Sequence, residues 1–277
     1  MPKTRSNHLL RALGPEGDFA YLIAVRPRRT GAFGPRQPSC LGWLHQAGAG
    51  LVTWWPAKMI CTTLGMTVFF VVYFWLLRHP FYPLTTVPLT AVDRLVGFRP
   101  ESLPLYCSFW LYVSLAPALV IDRRELISYG LAAIGLSVIG LGIFFFWPTT
   151  LPRCDIDWSQ HPSFAFLKSV DASGNACPSL HVAFAVFTAV WFERLLRQMG
   201  AGRAIRAFNW LWCLGILYST IASRQHVSLD VLAGTALGLG VALVHLWLLE
   251  AIPYPRPRQE PAGPACGGVP ASPQGSS

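Results

Sequence analysis

Two histidines and one aspartate hold most of the chemistry this chain can do. His226 and Asp230 stand four residues apart at the mouth of a long apolar segment, so on a helix they would share one face. There the carboxylate can hold the imidazole in one tautomer and stabilise its cation. The run Cys177-Pro178-Ser179-Leu180-His181 opens a second apolar segment, with Pro178 where a first helical residue often sits and His181 within the first turn. Such groups suit transfer of a phosphoryl group from an ester. That reaction needs an in-line nucleophile, positive donors around the equatorial oxygens and a proton for the departing alkoxide. His226, oriented by Asp230, suits the nucleophile. His181 suits the general acid, acting again as base on the incoming water or alcohol. Arg153 supplies bidentate charge for the phosphate. Ser179 and the N–H groups opening its segment add a helix N-terminus, a natural anion site. This chemistry requires neither metal nor cofactor.

The elements that must position these residues belong in a membrane. The chain has 277 residues, 53% hydrophobic and 13% charged, and a mean hydropathy of +0.42, too apolar for an ordinary soluble domain. A formal charge of +9 is better explained by topology and anionic headgroups than by nucleic acid, for which no motif is present. Six segments approach the roughly 20 apolar residues a bilayer crossing needs: 59–77, 105–121, 126–147, 179–196, 207–222 and 229–249. Glu193 and Arg194 intrude near the end of the fourth, and Pro117 should kink the second. Gly130, Gly135, Gly140 and Gly142 in the third span, with Gly234, Gly238 and Gly240 in the sixth, should let helices pack closely. The expected architecture is an all-α, polytopic six-transmembrane-helix bundle over residues 58–252. It lies between a basic, largely flexible tail (1–57) and a Pro-, Gly- and Ser-rich disordered tail (253–277). The apolar patches near the start are too short for a cleavable signal, which leaves targeting to the first span.

With six spans, 16 of the 22 Lys and Arg residues fall on the side holding both tails. The positive-inside rule then makes both termini cytoplasmic. Arg153, His181, His226 and Asp230 lie together at the outward ends of the third, fourth and sixth spans. This is the periplasmic or outer face, of the inner or plasma membrane in a bacterium. Ionisable groups at that level facing a bundle interior mark a functional site. His245 lies fifteen residues past Asp230, about 22 Å along a helix, and reads as structural at the inner surface.

Asn175 through His181 resembles the Pro-Ser-x-His motif of the type 2 phosphatidic acid phosphatase superfamily. His226 and Asp230-Val231-Leu232-Ala233-Gly234 resemble its last motif, His-x-x-x-Asp followed by Val-Leu-Ala-Gly. Leu180, in place of the usual Gly, is similar to the branch of inositol-phosphorylceramide synthases and sphingomyelin synthase relatives. The resemblance implies a phosphatase-type core, a phospholipid or sphingolipid substrate and a phosphohistidine intermediate on His226, with Asp230 and His181 in the roles above. Two departures thin the phosphate clamp. Phe146 stands where the family has a Lys seven residues before Arg153, with Cys154 following instead of Pro. Thr220 stands where it has an Arg six residues before His226, although Ser219 keeps the neighbouring Ser. Arg224 is a substitute cation two residues before His226. A thin clamp fits a diester or bulky headgroup better than a dianionic monoester.

Plainer readings stand beside these. Arg153 could be an interfacial anchor and Ser179 a helix-start residue. A zinc site from the histidines and an Asp lacks any His-Glu-x-x-His spacing. Cys154 and Cys177, flanking site residues, form either a disulfide or two free thiols. The loop 155–166 is either a lid or a short interfacial helix. Hydrolysis and headgroup transfer share one set of side chains. A non-catalytic membrane binding or transport protein is the alternative from another class, and the sequence leaves a homo-oligomer open.

Overall fold

The computed structural model describes residues 42–152, 156–164 and 174–251. Its helices are α1 (Gly42–Val52), α2 (Trp55–Arg78), α3 (Ala91–Val96), α4 (Leu103–Cys107), α5 (Phe109–Leu119), α6 (Arg123–Phe146), α7 (Leu180–Gln198), α8 (Arg203–Ala222) and α9 (Ser228–Ala251). Two short parallel strands, β1 (Thr85–Thr86) and β2 (Thr149–Thr150), pair Thr85 with Thr149 and Thr86 with Thr150. Local chemistry explains several starts. Asp122 accepts from the N–H groups of Arg124 and Glu125 at the head of α6, and Thr90 with Asp93 forms a capping box on α3.

Four stretches are long and apolar enough to cross a membrane: Trp55–Arg78, Pro100–Leu119, Arg123–Phe146 and Ser228–Ala251. They suggest an integral membrane protein. Six were expected. The remaining two, α7 and α8, form as helices but fall outside this set, α7 because charge interrupts it and α8 because Arg206 and Asn209 lower its mean hydropathy. Glu193 of α7 is 2% exposed, and its Oε1 accepts from Arg197 at 2.6 Å and from Nε of Arg206 on α8 at 2.7 Å. Arg194 pairs with Glu125 of α6 at 2.8 Å. Protein supplies the surroundings that lipid could not.

Helix α7 is the centre of the molecule. Val182, Ala185, Phe187, Val190 and Trp191 are fully enclosed, and the helix packs against α9, α8, α5 and α6. Asn209 of α8 donates to the Ala189 carbonyl and accepts from the Tyr112 hydroxyl of α5, so a buried amide ties three helices. By contrast α2 buries only Lys58 and Leu76 and turns Ile60, Leu64, Val68 and Val71 outward, as a lipid-facing helix does.

Four expectations change. Gly42–Val52, expected within a flexible tail, forms α1, whose Gly50 lies against the Leu119 backbone. Lys58 donates to both the Gly50 and Ala118 carbonyls at 2.7 Å, joining α1, α2 and α5. The second span stops at Leu119, two residues after Pro117, where Val120 turns extended. Pro178 is not the first helical residue: α7 starts at Leu180 with Ser179 as its cap. Of the glycines read as packing positions, Gly140, Gly234 and Gly238 meet a neighbouring helix, whereas Gly130, Gly135, Gly142 and Gly240 face open space. A Cβ on Gly234 would collide with the Ser179 carbonyl, and one on Gly238 with the Ala183 carbonyl.

Gly234→Ala should therefore cost about 1–3 kcal/mol through overpacking, read as a lower thermal midpoint of the detergent-solubilised protein. Gly240→Ala, with nothing within 4 Å, should leave the midpoint unchanged or slightly raised. Equal midpoints for the two variants would contradict the close α7–α9 approach.

Candidate active site

The site forms where three connections meet at one end of the bundle. Strand β2 brings the segment after α6 to the segment before α7, with the Cys177 N–H donating to Thr149 Oγ1 at 2.7 Å. The turn between α8 and α9 carries His226. The segment from Val87 to Arg99 crosses beside that turn, with the Arg99 N–H donating to the Ala222 carbonyl at 2.8 Å. Val87, Ala176 and Val227, one from each connection, pack as a small buried cluster.

At the head of α7, Ser179 is fully buried. Its Oγ accepts from the Val182 N–H at 3.3 Å, and its own N–H donates to the Asp230 carbonyl at 3.1 Å. The two sequence motifs are thus joined backbone to backbone. Ser179 is a helix cap here, as one of its two readings had it. His181 follows two residues later, its ring stacked between Tyr106 at 4.4 Å and Phe109 at 3.7 Å between centroids. His181 Nε2 is buried with no hydrogen-bond partner in the protein. The His226 imidazole lies within electrostatic reach of it.

His226 and Asp230 do not share a helix face, because His226 sits in the turn before α9 begins at Ser228. They still meet. His226 Nδ1 lies 3.6 Å from Asp230 Oδ2, since the same Oδ2 folds back to accept the Val227 N–H at 3.1 Å. At 3.6 Å the contact is too long for a hydrogen bond, and Nδ1 has no hydrogen-bond partner. The Thr220 carbonyl pins the turn by accepting from the N–H groups of Gln225 at 3.2 Å and His226 at 3.1 Å. Nε2 is then the ring nitrogen of His226 not turned to the carboxylate.

Of the expected anion-binding residues, Arg224 lies in this turn, half-buried, with its backbone in the left-handed region at φ 55°. Arg153 lies outside the described residues, as does Cys154. Cys177 is a free thiol. Burial, and then the nearby Asp230 carboxylate, push its pKa up to about 11, so at neutral pH it is a thiol and not a thiolate nucleophile. In the loop expected as lid or interfacial helix, Trp158–Gln160 forms a single 3₁₀ turn. Trp158, His161 and Phe164 there gather around Phe98, with centroids 5.1–5.5 Å away. Among the described residues no three His, Cys, Asp or Glu side chains cluster as a metal site would require. His245 sits far from all of this, bonded to Ser128 at 2.7 Å and with its ring tilted against Trp191 at 5.2 Å between centroids, a structural link between α9, α6 and α7.

Sequence reasoning missed Tyr106, Phe109 and the Thr220 carbonyl, and no spacing rule would find them, since an aromatic pair in a span reads as lipid-facing bulk. It also missed Asp93. There a signal existed, because Thr90-x-x-Asp93 is a capping-box pattern.

Comparison with known proteins adds one positive finding. Residues 125–253 match the PAP2 superfamily. The match spans just under half of the chain, from α6 through α9, and contains the Ser179–His181 and His226–Asp230 segments. It supports that superfamily, and with the apolar helices it points to a lipid phosphatase-type membrane protein of the hydrolase kind. Comparisons with curated proteins and with solved structures return no match.

The Cys177 thiol should be alkylated at pH 8 roughly a hundredfold more slowly than an ordinary thiol, in proportion to its smaller thiolate fraction. Asp230→Asn removes the neighbouring charge and should speed the reaction. Peptide mapping after timed alkylation reads both rates, and a wild-type rate equal to a free thiol's would contradict the Cys177–Asp230 contact.

Proposed function

We propose that this protein cleaves a phosphoester of a membrane lipid by covalent catalysis on His226. Nε2 of His226 attacks phosphorus, forming an N–P bond as the P–O bond to the leaving group breaks. His181 gives its proton to the departing alkoxide. Asp230 holds Nδ1 and balances the positive charge that grows on the ring. In the second step water, or a lipid alcohol, loses its proton to His181 and takes the phosphoryl group from nitrogen. Arg153, Ser179 with the head of α7, and Arg224 hold the phosphate oxygens.

The observation that carries this reading is the backbone bond from Ser179 to Asp230, with His226 3.6 Å from the same aspartate. It puts an oriented imidazole beside the helix that bears the second one, inside the stretch matching a phosphatase superfamily. Leu180 between Ser179 and His181, and the missing basic residues at Phe146 and Thr220, favour the inositol-phosphorylceramide synthase and sphingomyelin synthase-like branch, with a diester headgroup as the group transferred. The excess of Arg and Lys at the other end of the bundle supports an outward-facing site, with both termini cytoplasmic, in a six-helix membrane domain. Enclosure of α7 by its neighbours explains how a charged helix stands among the spans.

The test is trapping with a panel of phospholipids labelled in phosphorus. Wild type should take acid-labile, base-stable label, and His226→Ala none. His181→Ala should label roughly 10²–10⁴-fold more slowly. Product analysis with and without a diacylglycerol or ceramide acceptor separates transfer from hydrolysis. Full function of His226→Ala in cells would instead favour the non-catalytic reading, and loss of activity with chelators a metal-dependent one.

A further inference from the structure

The turn that carries His226 is braced from outside the matched superfamily segment. Asp93 of α3 is fully buried. Its Oδ2 accepts from the N–H of Thr90 at 2.7 Å, from Thr90 Oγ1 at 2.9 Å and from Ser228 Oγ at 2.9 Å. Its Oδ1 accepts from the Ser228 N–H at 2.7 Å. The Thr90 and Ser228 hydroxyl oxygens lie 2.7 Å apart, side by side on that carboxylate. Ser228 is the first residue of α9, two positions after His226. Asp93 thus caps its own helix and, in trans, the helix that begins at the proposed nucleophile.

This second cap has work to do because α9 cannot cap itself. The first N–H groups of a helix need outside acceptors, and the residue at the cap position, Val227, has an apolar side chain. Asp230 takes the Val227 N–H through Oδ2, the same oxygen that faces His226. Without Asp93, the nearest carboxylate for the Ser228 N–H would be that of Asp230, which would be drawn away from the imidazole. Arg99, six residues beyond Asp93, fixes the other end of the same turn through the Ala222 carbonyl. The segment from Thr90 to Arg99 therefore clamps the His226 turn at both ends, while Thr220 holds its middle. Burial would raise the Asp93 carboxyl, but the bonds from Thr90 and Ser228 outweigh it and hold its pKa below the ordinary range. A charged acceptor at neutral pH also complements the positive end of the α9 dipole.

We propose that Asp93 is a positioning residue for the phosphoryl-transfer step: by capping α9 in trans it leaves Asp230 free to orient His226. The inference rests on the reading of His226 as nucleophile. Asp93 touches no substrate; it acts through Ser228 and the turn.

The test follows single-turnover labelling of His226 in the full-length protein, using whichever labelled phospholipid from the panel marks wild type. Asp93→Ala should slow formation of the label roughly a hundredfold, the scale of a 1 Å misplacement, while KM stays within about threefold of wild type. Asp93→Asn keeps one acceptor for Ser228 but turns an NH₂ toward the Thr90 donor, and should fall between the two. Should Asp93→Ala fail to fold, Thr90→Val and Ser228→Ala each remove a hydroxyl partner of the carboxylate and keep the charge. Each should slow labelling by up to roughly tenfold. Labelling at the wild-type rate in a folded Asp93→Ala, or in both hydroxyl variants, would overturn the positioning role and leave His226 as nucleophile untouched. A wild type that never takes label would remove the nucleophile and this inference with it.

Discussion

The close approach of α7 and α9 is the contact on which the rest of the structure depends. Gly234 and Gly238 present bare backbone to the carbonyls of Ser179 and Ala183, and the Ser179 N–H closes the contact on the Asp230 carbonyl. Where lipid surrounds the bundle there is no hydrophobic drive between helices, so packing and interhelical hydrogen bonds supply the attraction. Glycine at these positions is the condition for both. Once the helices are this close, the residue after Leu180 and the turn before Ser228 have little choice of where to be. Both imidazoles come to the same end of the molecule because the two backbones do.

The polar groups at that end illustrate how a mostly apolar chain keeps charge inside. Asp230 is fully buried, yet its carboxylate has the Val227 N–H, the Cys177 thiol and the His226 ring around it. Asp93 has four bonds to its carboxylate from two residues. Glu193 at the far end of α7 has two arginines. Burying a carboxylate without such partners costs several kcal/mol, so each acid has to be served by more than one element. The consequence is that the polar sites are also the joints: α3 to α9, α7 to α9, and α7 to α8. His181 is held differently, between two aromatic rings of α4 and α5. That arrangement fixes the plane of the ring and leaves Nε2 without a hydrogen-bond partner.

Much of this was legible in the chain. Hydropathy located the four stretches long and apolar enough to cross a membrane, and the four-residue interval between His226 and Asp230 announced their pairing. The reason given for that pairing was incomplete, however. The two do not lie on one helical face; Asp230 reaches back across the start of α9 to a histidine in the turn, held by the Thr220 carbonyl. Periodicity cannot see a backbone carbonyl. The glycines show a similar limit, because composition names every small residue alike while only Gly140, Gly234 and Gly238 meet a partner helix. Hydropathy alone also could not tell lipid from protein as the neighbour of a helix. Glu193 and Arg194 in α7 looked like interruptions of a span, and they are ion-paired residues of the most enclosed helix in the bundle. Asp93 was half visible: its bond to Thr90 follows a local pattern, but its bond to Ser228 crosses 135 residues, and no local rule reaches that far.

The central claim is that His226 and His181 face one phosphate-sized space beside the α7–α9 contact. The most direct measurement is an experimental structure with orthovanadate, which adopts the trigonal bipyramid of a phosphoryl group in flight. The account predicts vanadium bonded to Nε2 of His226, with a nitrogen of His181 within hydrogen-bond distance, about 2.6–3.2 Å, of the apical oxygen opposite. Vanadate held elsewhere, or bonded to His226 with His181 turned away from it, would contradict the account.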